Sequence, residues 1–237
     1  MNYAIPSYRI FPLGDQAVTV DFGQVINETI NKQVLCLFYD LTKNPLPGTI
    51  EMVPAYSSLT IYYDLTLLYK ILPTEKLVYD QLVHLLDKRI KLLTADMPLV
   101  ADRTITIPVC YEKEFAPDID QLASHTKCTV DEIITIHTAS FYRVYMIGFL
   151  PGFAYMGEVN ERIQMSRKPQ PANVQPGSVG IAGSQTGIYP LASPGGWQII
   201  GRTPVTIFDT TKEDLTYFKV GDIVQFKAIS KHEFENY

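Results

Sequence analysis

The sequence predicts an α+β two-layer sandwich over residues 1–96, followed by a mainly-β barrel over residues 97–237. Three observations carry this. In the first hundred residues, pairs of strand-like runs are twice followed by apolar residues at helical spacing. Glycine and proline concentrate in the second half, where Gly148 to Pro204 holds ten of the 14 glycines and seven of the 16 prolines. Within that segment, Ala172 to Gly201 is a run of 30 residues without Asp, Glu, Lys or Arg, in a chain that is 19% charged. About six charges are expected in such a window.

In chain order, Tyr8 to Pro12 and Ala17 to Phe22 read as strands joined by a Gly14-Asp15 turn. Ile26, Ile30, Val34, Leu37, Phe38 and Leu41 then mark one face of a helix, which Asn44-Pro45 ends. Thr49 to Val53 and Leu59 to Tyr63 are a second strand pair. Leu77, Val78, Leu82, Leu85, Leu86 and Ile90 mark a second helix, entered through Pro73-Thr74. Strand, strand, helix, strand, strand, helix suits helices laid on one face of a mainly antiparallel sheet.

The character of the chain changes between Leu92 and Asp102, and a boundary is expected near Met97. Arg103 to Val109 reads as a strand. Asp118 is expected to cap a short helix, with Gln121 in the reciprocal position, and Thr129 to Glu132 is a capping box opening a helix that runs to Ser140. From Gly148 onward the glycine and proline density breaks every helical pattern, leaving short strands and tight turns. Val205 to Phe208 and Asp222 to Phe226, with a Gly221-Asp222 turn, are expected to close the barrel.

Composition removes several functions. The 237 residues are 46% hydrophobic, enough for two cores and incompatible with disorder as the main state. A net charge of -5, without a basic run, argues against a nucleic-acid binder. No stretch approaches the roughly 18 apolar residues of a membrane helix. MNYAIPSYRIFP has no basic leader before an apolar region, so no signal peptide is expected. Three scattered cysteines (Cys36, Cys110, Cys128) do not form a disulfide framework. The expectation is a soluble, cytoplasmic protein with reduced thiols. Cys110, His125, Cys128 and His137 lack the tight pairs of a zinc site, so no metal is expected. There is no Walker A loop, no dinucleotide fingerprint and no Gly-x-Ser-x-Gly elbow.

The charge-free stretch is bracketed by Arg167, Lys168 and Arg202. Such a segment suits a cleft in which backbone N–H groups meet a small polar ligand; it equally suits a barrel whose turns need glycine. Three clusters stand out: Gly148-Phe149-Leu150-Pro151-Gly152-Phe153-Ala154-Tyr155, the glycine-rich Gly177 to Gly187, and Ser193-Pro194-Gly195-Gly196-Trp197 with the only tryptophan. Each alone is also what turns and core aromatics require. His137, late on its capped helix, either exchanges protons near pH 7 or packs against a backbone carbonyl.

These clusters, together with Tyr8-Arg9-Ile10, Gly14 to Ala17, Val53 to Tyr56 with Ser58-Leu59, Ile107 to Tyr111 and Pro117-Asp118, closely resemble the allophanate hydrolase subunit 1 family. That family includes the 5-oxoprolinase B subunit and the sporulation-kinase inhibitor KipI. The resemblance spans nearly the whole chain. It implies a small N-terminal α/β domain and a C-terminal cyclophilin-like barrel. It implies work alongside a sister subunit of the allophanate hydrolase subunit 2 type and a LamB/YcsF-type subunit, in an ATP-dependent 5-oxoprolinase that converts 5-oxoproline to glutamate. Two departures stand out. Where the family shows Pro-Arg twice, this chain has Ser166-Arg167 and Pro171-Ala172, and the family's Gly-Pro-Asp reads Ala116-Pro117-Asp118.

Opening a lactam needs donors for a developing oxyanion and a cation for phosphate or carboxylate. The expected catalytic set is His137 as acid/base, Arg202 as anion clamp and Gln185 as donor. The expected substrate-binding set is Phe149, Pro151, Gly152, Phe153, Tyr155, Arg167, Gly183, Thr186, Gly187, Pro194, Gly195, Gly196 and Trp197. The alternatives are a KipI-like module docking on a histidine kinase through Phe149, Phe153, Tyr155 and Trp197, and a component of a biotin-dependent carboxyltransferase or allophanate hydrolase.

Overall fold

The computed structural model describes residues 7–73, 75–93 and 103–237. The chain divides into two compact units, Met1–Ala101 and Asp102–Tyr237. The boundary expected near Met97 falls outside the described residues, as does Thr74 at the entry to the second long helix.

The first unit runs β1 (Arg9–Pro12), β2 (Ala17–Asp21), α1 (Glu28–Lys43), β3 (Thr49–Pro54), β4 (Ser58–Tyr63), α2 (Leu65–Ile71) and α3 (Val78–Leu92). Its sheet is antiparallel in the order β1-β2-β4-β3. Asn27, not singled out in the sequence, caps α1 by accepting the Ile30 N–H, and Asn44 ends the helix where the Asn44-Pro45 stop was expected. Val34, Leu37 and Leu41 of α1 and Leu82, Leu86 and Ile90 of α3 bury against Val18, Val20, Leu59 and Ile61 of the sheet. Helix α2 was not anticipated. It has seven residues and buries only Leu68, too little for a periodic signal, and depends on the Asp64 cap that accepts the Leu67 N–H.

The second unit runs β5 (Thr104–Cys110), α4 (Ile119–Thr126), α5 (Val130–Ala139), β6 (Phe141–Ile147), β7 (Ala154–Gly157), a 3₁₀ turn (Glu161–Ile163), β8 (Ala172–Val174), β9 (Ser178–Ala182), β10 (Gln185–Ile188), β11 (Ser193–Gly195), β12 (Gln198–Arg202), β13 (Ile223–Ile229) and α6 (Lys231–Glu235). Seven strands close a barrel in the order β10-β7-β6-β13-β5-β12-β9, and β8 and β11 form a separate pair. The β13–β5 ladder is parallel, and the other named ladders of this unit are antiparallel. Val109, Tyr142, Val144, Met156, Val179, Ile181 and Phe226 are among the side chains that fill it. The Thr129–Glu132 capping box forms at the start of α5.

Two local expectations fail here. Asp118 stands at the start of α4, but its side chain makes no cap bond. It accepts the Ile199 N–H at 2.6 Å and pairs with Lys168 Nζ at 2.5 Å, because a β-strand amide and an ammonium outcompete the helix end. Val205 to Phe208 is not a strand. Val205 and Ile207 are buried as apolar anchors, and the pairing there is an isolated bridge between Phe208 and Thr216. Strand β6 and helix α6 were not anticipated. Among the described residues no helix is long and apolar enough to cross a membrane.

Candidate functional site

A second, smaller cluster sits apart from the barrel core: Phe153, Val174, Ala182, Tyr189, Trp197 and Ile199, with Leu150 and Tyr155 packed against it. Phe153 is its hub. Its ring meets Tyr155 at 4.7 Å, Tyr189 at 5.0 Å, Trp197 at 5.3 Å and Phe149 at 5.8 Å between centroids, each edge to face. That geometry sets positive ring edges on negative faces. The turn before β7 holds the hub in place, with the Gly148 N–H donating to the Phe153 carbonyl and the Phe153 N–H to the Leu150 carbonyl. Phe149 sits on this turn at φ +69 and leaves its ring 64% exposed, and Pro151 is also exposed.

Two glycines make the packing possible. A Cβ on Gly187 would lie 2.7 Å from the Ala154 carbonyl oxygen and 3.2 Å from the Trp197 ring. A Cβ on Gly195 would lie 2.5 Å from the Tyr189 hydroxyl. Three segments that the sequence singled out, 148–155, 187 and 194–197, therefore do converge. Pro194 lies exposed at the rim, Gly196 is half-buried, and Gly152 is buried beneath the turn.

One cation belongs to this face. The Arg167 guanidinium stands 6.0 Å from the Trp197 ring centroid. Its neighbours are clamped to residues on both sides of the tryptophan. Gln198 Nε2 donates to the Ser166 carbonyl at 2.9 Å, the Lys168 N–H donates to the Gly196 carbonyl at 2.7 Å, and Lys168 Nζ holds Asp118. Burial pushes the Tyr155 and Tyr189 hydroxyls upward, and the Arg167 charge partly opposes this in both. At neutral pH both remain protonated donors.

The expected catalytic trio is not brought together here. His137 is fully buried inside the barrel, with Tyr111 Oη 2.8 Å from Nδ1, Thr186 Oγ1 3.2 Å from Nε2 and Phe226 stacked on the ring at 4.5 Å. The Thr186 hydroxyl donates to the Gly180 carbonyl at 3.0 Å, so its oxygen accepts from Nε2–H and the bare Nδ1 accepts from Tyr111. Desolvation pushes the imidazole down to about 3, so it stays neutral from pH 6 to 8. The expected proton exchange near pH 7 does not fit this burial. The packed alternative does, with Thr186 as its partner.

The 183–187 segment is also not an amide cradle. Gly183 and Ser184 turn between β9 and β10, the Gly183 N–H donates to the Met165 carbonyl, and β10 is paired on both sides by β7 and β9. Gln185 lies half-buried on that strand. Arg202 ends β12, and its Nε is committed to the Pro176 carbonyl at 2.8 Å. The expected site set omitted Tyr189, Asp118, Lys168 and Gln198. Asp118 was read as a helix cap and Lys168 as a bracket of the charge-free run, while Tyr189 and Gln198 lie within that run without a signal of their own. Among the described residues no group of three or more His, Cys, Asp or Glu could hold a metal ion.

In the barrel unit the aromatic cluster carries Phe149 and Arg167 at its exposed edge, whereas His137 is sealed inside the core. The chain belongs to the carboxyltransferase domain family, subdomains C and D, whose profile matches residues 8–218. It is similar to the 5-oxoprolinase B subunit of Bacillus subtilis (strain 168), at 40% identity over 232 residues, 97% of this chain and 96% of that protein. A crystal structure of a conserved uncharacterized protein from Pyrococcus horikoshii superposes with a TM-score of 0.55 at 40% identity, covering 95% of this chain and all of that one. Urea carboxylase of Kluyveromyces lactis shares the fold, with a TM-score of 0.77 at 20% identity, over 98% of this chain but 22% of that protein.

Proposed function

We propose that this chain is the B-type subunit of an ATP-dependent 5-oxoprolinase, acting with a sister subunit of the allophanate hydrolase subunit 2 type and a LamB/YcsF-type subunit. The observation that carries this reading is the 40% identity to a protein named as the B subunit of 5-oxoprolinase, along nearly the full length of both chains. The aromatic face supports it. A lactam ring is flat and largely apolar at its methylenes, and the exposed Phe149 ring beside the half-buried Tyr155 offers matching surface. The run from 172 to 201 contributes no carboxylate to repel an anionic substrate or a developing oxyanion.

In this reading the chain binds and orients, and ATP is a co-substrate of the whole complex. Tyr155 supplies a neutral hydroxyl, and Arg167 supplies the charge. The uncharged, partly aromatic rim also suits the contact with the sister subunit. Reconstitution tests it. Glutamate and ADP should form from 5-oxoproline and ATP when all three proteins are present and not when this chain is omitted. A full rate without it, or no glutamate from the complete set, refutes the reading. The family match and the urea carboxylase fold favour a second reading, a component of a biotin-dependent carboxyltransferase, and transfer of the carboxyl group from carboxybiotin to urea by the same proteins, releasing biotin, would replace the first with it.

A further inference from the structure

We propose that Arg167 is the carboxylate anchor of this face: the edge of its guanidinium takes the carboxylate of a small cyclic amide in two parallel hydrogen bonds, while the ring of that ligand rests on the aromatic rim. This rests on the reading of the face as a small-molecule site, and it moves the anion clamp from Arg202 to Arg167.

Four observations lead there. Arg167 is exposed and stands over Trp197, and among the described residues its side chain has no hydrogen-bond or ion-pair partner. At 6.0 Å from the ring the guanidinium is within cation–π range, and its N–H donors are open to a carboxylate, which they can meet with two parallel bonds. The residues on either side of Arg167 are fixed to Gly196 and Gln198, so the backbone that carries it is held against the site. The nearby acid is spent: Asp118 is neutralised by Lys168 and accepts the Ile199 N–H. The 30 residues that build most of the face contribute no other carboxylate, so Arg167 faces no competitor from them. Arg202, by contrast, already gives its Nε to a backbone carbonyl in the barrel wall.

The test uses the full chain and the assembled complex. Trp197 is the only tryptophan, so its fluorescence reports events at Arg167. Titrating the full chain with 5-oxoproline should give a saturable change, and 2-pyrrolidone, the same lactam without the carboxylate, should bind at least tenfold more weakly. Arg167→Gln should abolish that difference, and Arg167→Lys should weaken 5-oxoproline roughly tenfold, because lysine keeps the charge and loses the fork. In the complex, Arg167→Gln should raise KM tenfold or more with kcat within about threefold, since the contact exists in both ground and transition states. An unchanged KM and unchanged affinity in both variants, with wild-type turnover intact, overturns the anchor and leaves the oxoprolinase reading standing. Carboxylate binding lost in Arg167→Gln, in a complex that makes no glutamate, keeps the anchor and removes that reading.

Discussion

The burial of His137 can be measured through the pH dependence of barrel stability. In the folded barrel the imidazole is held at about 3, while an unfolded chain returns it to 6.5. Between those values the unfolded chain holds a proton that the fold refuses. The stability contributed by a neutral His137 is therefore complete above pH 6.5 and is lost progressively as pH falls toward 3. The slope is about 1.4 kcal/mol per pH unit, or roughly 2 kcal/mol lost by pH 5 and at most about 5 kcal/mol by pH 3.

His137→Gln isolates this effect, because the carboxylates and the other histidines contribute equally to both proteins. At pH 7.5 the variant should be weaker by about 2 kcal/mol, since Tyr111 and Thr186 lose a matched partner in a dry core. By pH 5 that gap should close, because only the wild type carries the protonation penalty. Urea denaturation at pH 7.5, 6 and 5, followed by Trp197 fluorescence, gives both curves. A gap that does not change between pH 7.5 and 5 would refute the argument. It would mean that His137 titrates like a solvated histidine, and would restore it as a candidate acid/base.

Three further outcomes follow from the same geometry. Gly187→Ala forces a methyl to within 2.7 Å of the Ala154 carbonyl oxygen and should lower barrel stability by about 1–3 kcal/mol in urea denaturation, with a changed Trp197 emission. Asp118→Ala leaves Lys168 unpaired and the Ile199 N–H without its acceptor; a loss of about 2–4 kcal/mol is expected, below the range for a fully dry pair because both side chains keep some water. A loss under about 0.5 kcal/mol would show that the clamp on the Arg167 segment is dispensable. Phe149→Ala removes an exposed ring, so its urea midpoint should hardly move, while association with the sister subunit measured by calorimetry should weaken tenfold or more if this rim is the contact.

Much of this was legible in the sequence, and the boundary between legible and hidden is physical. Periodicity found α1 and α3 because each buries a stripe several turns long, and missed α2 because one buried Leu68 makes no stripe. The capping box at Thr129 was readable because its two partners lie three residues apart, whereas Asp118 finds its partners 50 and 81 positions away, at Lys168 and Ile199. The convergence of Phe153, Gly187 and Trp197 was foreshadowed by aromatics and glycines crowding an uncharged run.

What that run cannot distinguish is a surface that excludes charge in order to bind from one that excludes it in order to pack, since both require the same neutral side chains. The structure separates the two by exposure. Thr186 and His137 face inward to a sealed network, while Phe149 and Arg167 face outward from the same barrel. Arg167 lies just before the charge-free run, where composition gives it no more weight than Arg202 just beyond its end. Only the fold shows that one guanidinium gives its Nε to a backbone carbonyl while the other stands exposed 6.0 Å from the tryptophan ring centroid. The inward group is then tested by stability against pH and the outward one by affinity for a carboxylate. Each of those measurements is blind to the other residue.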